Sequence, residues 1–299
     1  MKVAISIGDL NGVGIEIALK AHDKIKEFVK PVYCINKKML EKAAYLLNYP
    51  IPQDFETIEV EGDFEIKPAT VDEKSGEYSY KSFLKAIELA TKGEVNGICT
   101  LPIHKESWNK AGIKYKGHTE VLRDVFKKDA IMMLGCEKMY VALFTEHIPL
   151  KQVAENVKKE KLIKFFIDFY NSTKFQKVGV LGLNPHAGDG GVLGDEEIKE
   201  IIPAIKESNK IINKEIFYGP LVPDIAFTKK EGRFIAMYHD QGLAPLKALY
   251  FEESINVSLN LPILRTSVDH GTAFDIAYKG VANTKSYENA IKYILFHKN

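Results

Sequence analysis

The sequence has few cysteines, no long apolar run and almost no net charge. Cys34, Cys99 and Cys136 are its only cysteines. They are far apart and odd in number, which excludes a disulfide framework or a Cys-x-x-Cys metal or redox pair and favours a reducing compartment. No apolar run approaches the roughly 18 residues needed to cross a bilayer. The opening run to Gly8 is too short for a signal-peptide core and leads at once into a glycine-rich turn. The expectation is a soluble, cytoplasmic protein with no membrane partner. Lys and Arg number 41 against 40 Asp and Glu, a balance that argues against a nucleic-acid partner but leaves room for a local basic pocket. Two cofactor signatures are missing as well. Gly8-Asp9-Leu10-Asn11-Gly12-Val13-Gly14 is a strand-to-helix turn but not Gly-x-Gly-x-x-Gly, and no P-loop lysine precedes a Ser or Thr. A standard Rossmann site is therefore unsupported.

What remains is an alternating pattern over 299 residues, 45% of them hydrophobic. Short β-branched runs at 3–7, 31–35, 57–60, 95–100, 130–134, 140–144, 177–183, 234–238 and 255–259 read as strands. Helical periodicity covers 79–92, 195–208 and 286–297. A further stripe of Leu150, Val153, Val157, Leu162, Phe165 and Phe169 predicts a helix from about 150 to 170. Residues 52–76 are polar and irregular. The alternation predicts an α/β chain with helices covering largely parallel sheets. The strand count suggests two domains, and no Pro/Ser-rich linker marks a boundary, as expected if one domain is discontinuous.

Of eight histidines, five come just after strand candidates: His104, His147, His186, His239 and His270. Ligands of α/β folds bind at the carboxyl ends of parallel strands. A lone histidine is usually bland, but five at equivalent topological places are hard to explain as packing. Three neutral imidazoles would leave coordination positions open on Zn, Co, Ni or Fe. There is no His-Glu-x-x-His pair, so ligands would have to converge from distant loops, and spacing alone does not select which. Around His186, four glycines fall within the seven residues from Gly188 to Gly194, ahead of a helix opened by Asp195-Glu196-Glu197, where backbone can approach a ligand closely.

Asp269-His270-Gly271-Thr272-Ala273-Phe274-Asp275-Ile276-Ala277-Tyr278 resembles the adenosine-binding loop of the isocitrate and isopropylmalate dehydrogenase superfamily, with Phe274 for the usual proline and Tyr278 for the usual glycine. Within that superfamily the chain is most similar to the 4-hydroxythreonine-4-phosphate dehydrogenase family of pyridoxal phosphate biosynthesis. The matching stretches are Pro102-Ile103-His104-Lys105, Gly117-His118-Thr119-Glu120, His147-Ile148-Pro149-Leu150, Asn184-Pro185-His186-Ala187-Gly188, Gly194-Asp195-Glu196-Glu197, Met237-Tyr238-His239-Asp240-Gln241-Gly242 and Arg265-Thr266-Ser267-Val268-Asp269-His270-Gly271. The N-terminal turn departs from the family pattern at Leu10, Asn11, Val13 and Ile15.

The resemblance implies a two-domain α/β/α fold of the isocitrate/isopropylmalate dehydrogenase type. Residues 1–120 and 266–299 would form a discontinuous domain with the cofactor loop. Residues 121–265 would carry the metal ligands and the dimer interface. It implies His147, His186 and His239 as ligands of a divalent metal (Zn, Co or Mg). His118, Thr119, Lys247, Asn256 and Arg265 would contact substrate, and Asp240, Asp224 and Lys247 would be the catalytic group. His270, Gly271, Thr272, Ala273, Asp275 and Ile276 would bind the cofactor. That cofactor would be NAD, since a carboxylate at Asp275 can accept a ribose hydroxyl and would repel a 2′-phosphate. The implied reaction is oxidative decarboxylation of a small phosphorylated hydroxy-amino acid by a homodimer with shared active sites. Rival readings are a paralogous dehydrogenase of 4-phospho-D-threonate or 4-phospho-D-erythronate, an acyl-phosphate transferase of similar fold, and a non-catalytic binding protein.

Overall fold

The computed structural model describes residues 1–297. Its strands in chain order are β1 (Lys2–Ser6), β2 (Lys30–Cys34), β3 (Thr57–Ile58), β4 (Ile98–Thr100), β5 (Ile131–Cys136), β6 (Met139–Leu143), β7 (Val178–Leu181), β8 (Phe217–Leu221), β9 (Gly232–Ala236), β10 (Ile255–Leu259) and β11 (Arg265–Val268). The chain forms two compact units. Unit 1 is Met1–Ala130 with the segment from Ile255 onward, and unit 2 is Ile131–Ser254.

These crossings fall ten residues later and eleven earlier than the 120 and 266 read from sequence. The helix His118–Phe126 and the strand pair β10–β11 belong to unit 1, where β11 lies against β4. Strand β11 escapes sequence reading because Arg265-Thr266-Ser267-Val268 is short and polar. Strand β8 escapes because it contains Gly219-Pro220, and proline in a strand is tolerated at a sheet edge. Strand β8 holds that edge position.

In unit 1 the strand order is β3-β2-β1-β4-β11-β10. All neighbours are parallel except β10 with β11. The helix Glu73–Thr91 starts six residues before the expected 79 because Asp72 caps it, accepting from the backbone N–H groups of Lys74 and Ser75. Its inner face holds the single tryptophan: Trp108 is fully buried and donates from Nε1 to Ser79 Oγ at 2.8 Å.

In unit 2 the order is β5-β6-β9-β7-β8. Strands β6, β9, β7 and β8 run parallel, with β5 antiparallel to β6. The core packs Leu134, Val141, Leu181, Phe234, Leu243 and Leu246. The single helix expected over 150–170 is three pieces: Leu150–Gln152, Val153–Asn156 and Lys159–Thr173. Val157 leaves helical geometry at ψ 89°. The stripe had merged two packing surfaces. Leu162, Phe166 and Phe169 are buried in the long helix, while Leu150 is 69% exposed.

Candidate functional site

The three histidines expected to hold a metal follow three adjacent parallel strands of unit 2: His147 after β6, His239 after β9 and His186 after β7. Side chains tie these strand ends together. Thr145 Oγ1 donates to the Met237 carbonyl at 2.6 Å. Gln241 accepts from the Met237 N–H at 2.7 Å and donates to the Gly182 carbonyl at 2.6 Å. The His147 and His239 rings lie 5.4 Å apart. His239 Nδ1 is 2.6 Å from Asp240 Oδ1, a pairing that leaves Nε2 available to a metal. Among the described residues no group of three or more His, Cys, Asp or Glu is already closed around one point as a metal would need. The donor set nonetheless suits a borderline cation: three imidazoles on neighbouring strand ends, one oriented by a carboxylate. Asp224 follows β8, in the short helix Pro223–Ala226.

His186 lies in a segment whose backbone is left-handed for five residues. His186, Ala187, Gly188, Asp189 and Gly190 have φ of 52°, 53°, 81°, 44° and 67°. For the three non-glycine residues this geometry costs roughly 1–2 kcal/mol each, so something must hold it. The buried carboxylate of Glu197 does. Its Oε1 accepts from the backbone N–H groups of Leu183 and Asn184, both at 2.7 Å, and its Oε2 accepts from Asn184 Nδ2 at 2.9 Å. A Cβ on Gly188 would come within 2.7 Å of that Oε2, so glycine is required there. Glu197 opens a π-helical turn, Glu197–Ile201, a distortion often found at functional sites.

In unit 1, Arg265 starts β11 and is 2% exposed. Its Nε and Nη2 donate to Thr100 Oγ1 at 3.1 and 2.7 Å, and its Nη1 donates to Ser258 Oγ at 3.1 Å. Hydroxyls therefore surround the guanidinium, and among the described residues no carboxylate neutralises it. Burial lowers its pKa to about 10, so it stays charged at neutral pH. A buried uncompensated charge costs several kcal/mol, and an arrangement of this kind suits an anion. His118 lies in its field. Burial first and Arg265 second hold that imidazole neutral, well below its ordinary pKa. Phe83 and Trp108 meet the His118 ring edge-on at 4.5 and 5.6 Å, and its Nε2 is buried without a partner. Asn256 sits two residues before Ser258 on β10, on the same strand face, with its Oδ1 also buried and unpartnered.

Unit 1 thus brings His118, Asn256 and Arg265 into one neighbourhood, with Thr119 half-buried beside His118. Lys247 belongs to unit 2, eight residues along the helix His239–Tyr250 from His239, with Nζ 5.8 Å from the Phe251 ring centre. Sequence reading missed Thr100, Ser258 and Glu197. Ser258 left a signal in its two-residue spacing from Asn256, and Glu197 in the matching stretch Gly194-Asp195-Glu196-Glu197, whereas Thr100 left none.

The expected cofactor loop docks on the N-terminal turn. The Thr272 carbonyl accepts from the Val13 N–H at 3.0 Å. A Cβ on Gly12 would lie 2.8 Å from Thr272, so only glycine allows the approach. Both departures from the superfamily loop make contacts. Tyr278 donates to the Leu10 carbonyl at 2.7 Å, and Phe274 stacks on His104 with ring centres 4.8 Å apart. Beneath them Asp9 is buried and accepts from Ser75 Oγ and the Asn11 N–H, and burial raises its pKa. Asp275 is exposed and open to a ligand, Thr272 is buried, and Ile276 is half-buried. His270 Nδ1 pairs with the Gly271 carbonyl at 3.0 Å. Ala273 takes φ 44° to form the turn that Gly271 enters.

Residues 27–294 match the model of the family described as pyridoxal phosphate biosynthetic protein PdxA. A 4-hydroxythreonine-4-phosphate dehydrogenase of Sulfurimonas denitrificans is 63% identical over 98% of this chain and 96% of its own. The crystal structure of 4-hydroxythreonine-4-phosphate dehydrogenase from Klebsiella pneumoniae superposes with a TM-score of 0.83 at 31% identity, covering 99% of this chain and 98% of that one. An isocitrate dehydrogenase from Methylococcus capsulatus shares the fold alone, at a TM-score of 0.50 and 14% identity over 99% of this chain and 85% of that one. The strand-end histidines, the buried arginine and the docked loop thus occur in a chain that belongs to the PdxA family of pyridoxal phosphate biosynthesis.

Proposed function

We propose that this protein is an NAD-dependent, divalent-metal-dependent 4-hydroxythreonine-4-phosphate dehydrogenase. It would convert 4-phosphooxy-L-threonine and NAD to 3-amino-2-oxopropyl phosphate, carbon dioxide and NADH, within pyridoxal 5′-phosphate biosynthesis. The observation that carries this reading is Arg265, a buried cation that meets no carboxylate among the described residues, with the unpartnered polar atoms of His118 and Asn256 nearby. Such an arrangement suits a phosphate or carboxylate.

His147, His186 and His239 would hold the cation. When bound, it supplies Lewis acidity for ionising the substrate hydroxyl and for the loss of carbon dioxide. Asp240 orients the His239 imidazole through Nδ1. Asp224 and Lys247 are the proposed proton-transfer groups, and Lys247 adds positive charge for the substrate. His118, neutral at pH 7, offers one donor or acceptor without competing for the anion. His270, Gly271, Thr272, Ala273 and Ile276 shape the cofactor loop, and Asp275 accepts from the ribose hydroxyls of NAD. The enzyme would work as a cytoplasmic homodimer. Formation of NADH from 4-phosphooxy-L-threonine, with and without chelator, tests the proposal. Turnover of 4-phospho-D-threonate or 4-phospho-D-erythronate alone would replace it with the paralogous activity.

A further inference from the structure

Thr100 ends β4, Ser258 lies on β10, and Arg265 begins β11. Thr100 and Ser258 are 0% and 2% exposed. Strand pairing sets Ser258 directly opposite Arg265, while Thr100 pairs with Ser267, two residues further along β11. The guanidinium therefore reaches along its sheet to one hydroxyl and across it to another. Three of its five N–H groups end on those two oxygens. Thr100 Oγ1 accepts two of the three bonds, which fixes the plane of the guanidinium. Its own hydrogen has no protein acceptor among the described residues, and the same holds for Ser258.

The choice of hydroxyl has a consequence for charge. A carboxylate at residue 100 would hold the guanidinium equally well but would neutralise it and compete with an incoming anion. An apolar side chain would leave the charge intact but let the plane rotate and strand buried donors. A hydroxyl both aims the group and leaves its charge available, and it adds a donor of its own. We propose that Thr100, supported by Ser258, is a positioning residue that presents Arg265 in a fixed plane to the phosphate or carboxylate of the substrate. This inference rests on the dehydrogenase reading for the identity of the anion, but the aiming of Arg265 is testable without it.

The test compares Thr100→Val, which removes the hydroxyl at nearly constant volume, with Thr100→Ser, which keeps it. Two readouts are used: steady-state kinetics on 4-phosphooxy-L-threonine, and calorimetric binding of inorganic phosphate to the same preparations. The expectation for Thr100→Val is a rise of about tenfold or more in substrate KM and phosphate Kd, the effect of losing a charge-assisted hydrogen bond. The change in kcat should be smaller than about threefold, and KM for NAD should stay put. Thr100→Ser should restore both constants to within about threefold of wild type. Unchanged KM and Kd in Thr100→Val, or a Thr100→Ser variant as impaired as Thr100→Val, would overturn the inference. If Thr100→Val does not fold, Ser258→Ala removes a single bond and should still weaken phosphate binding about threefold. An unaltered Kd there has the same negative meaning. A wild-type protein that binds phosphate but leaves the substrate untouched would defeat the dehydrogenase reading and not this one.

Discussion

The Glu197 carboxylate and the backbone of Asn184 are joined across thirteen residues by a 2.7 Å hydrogen bond, and the Asn184 side chain returns to the same carboxylate at 2.9 Å. This closed loop carries His186 on a left-handed backbone that would otherwise relax. Glu197→Ala should therefore strand the N–H groups of Leu183 and Asn184, at about 1–3 kcal/mol for each buried donor. Urea unfolding of the metal-free protein measures the loss. Glu197→Gln keeps one acceptor oxygen and should lose less than Glu197→Ala. Equal stability in Glu197→Ala and wild type would show that the carboxylate does not hold the loop.

Much of this arrangement was legible in the chain, for identifiable reasons. Parallel strands buried on both faces are short apolar runs, so β1, β2, β6, β7 and β9 are readable in sequence, and His147, His186 and His239 fall after β6, β7 and β9. Strand β11 did not stand out, because its opening residue is a buried arginine whose role is electrostatic. The contacts of Thr100 and Glu197 were silent for a related reason, although Glu197 lies in a stretch that matches the family. A threonine ending a strand and a glutamate opening a helix are ordinary in sequence, and only the fold shows that one meets a guanidinium and the other two backbone N–H groups. The stripe over 150–170 misled, because helical spacing carried through a break at Val157 that spacing does not encode.

His118 predicts a pH dependence of stability. The folded protein holds the imidazole neutral, with a pKa well below 6.5, through burial and then Arg265. The unfolded chain binds this proton below pH 6.5 and the folded chain does not, so stability rises with pH across that interval. The contribution is complete above pH 6.5 and is lost as pH falls below it toward the folded pKa, with a limiting slope of about 1.4 kcal/mol per pH unit. His118→Gln removes the titration. Urea midpoints measured at pH 7, 6 and 5.5 should fall less steeply in the variant, and parallel profiles would exclude His118 as the source.

Asp275 predicts cofactor choice. It is exposed on a loop pinned through Thr272 and Tyr278, so its substitution should leave the fold unchanged. Asp275→Asn removes the charge that repels a 2′-phosphate and should narrow the preference for NAD over NADP by about tenfold or more. The ratio of kcat/KM for the two cofactors reports it directly. Wild-type protein using both cofactors equally would contradict the role given to Asp275.

Metal dependence should follow the strand ends. Alanine at His147, His186 or His239 should abolish most zinc affinity, read by competition with a chromogenic chelator. All three residues are at least partly exposed, so the thermal midpoint of the metal-free protein should move little. Asp240→Asn should weaken affinity by about 10–100-fold, the usual effect of removing the carboxylate behind a ligand histidine. Wild-type zinc affinity in any one of the three alanine variants would remove that histidine from the set.

Assembly is the last expectation, and it comes from apolar surface on unit 2. Leu150, Val192, Ile198 and Ile225 are 69, 79, 50 and 62% exposed. They lie in the segments that follow β6, β7 and β8, beside the residues proposed to bind metal and substrate. Large aliphatic side chains exposed on such loops cost solubility unless something covers them. Hydride transfer and decarboxylation also benefit from a site closed to water. A two-fold dimer would meet both needs, and it is the commonest closed assembly. Sedimentation at micromolar concentration should give twice the 33.7 kDa chain mass. Ile225→Glu together with Val192→Glu should shift the protein toward monomer and reduce activity in the same proportion. A wild-type monomer with full activity would end the shared-site proposal, and the exposed residues would then need another explanation.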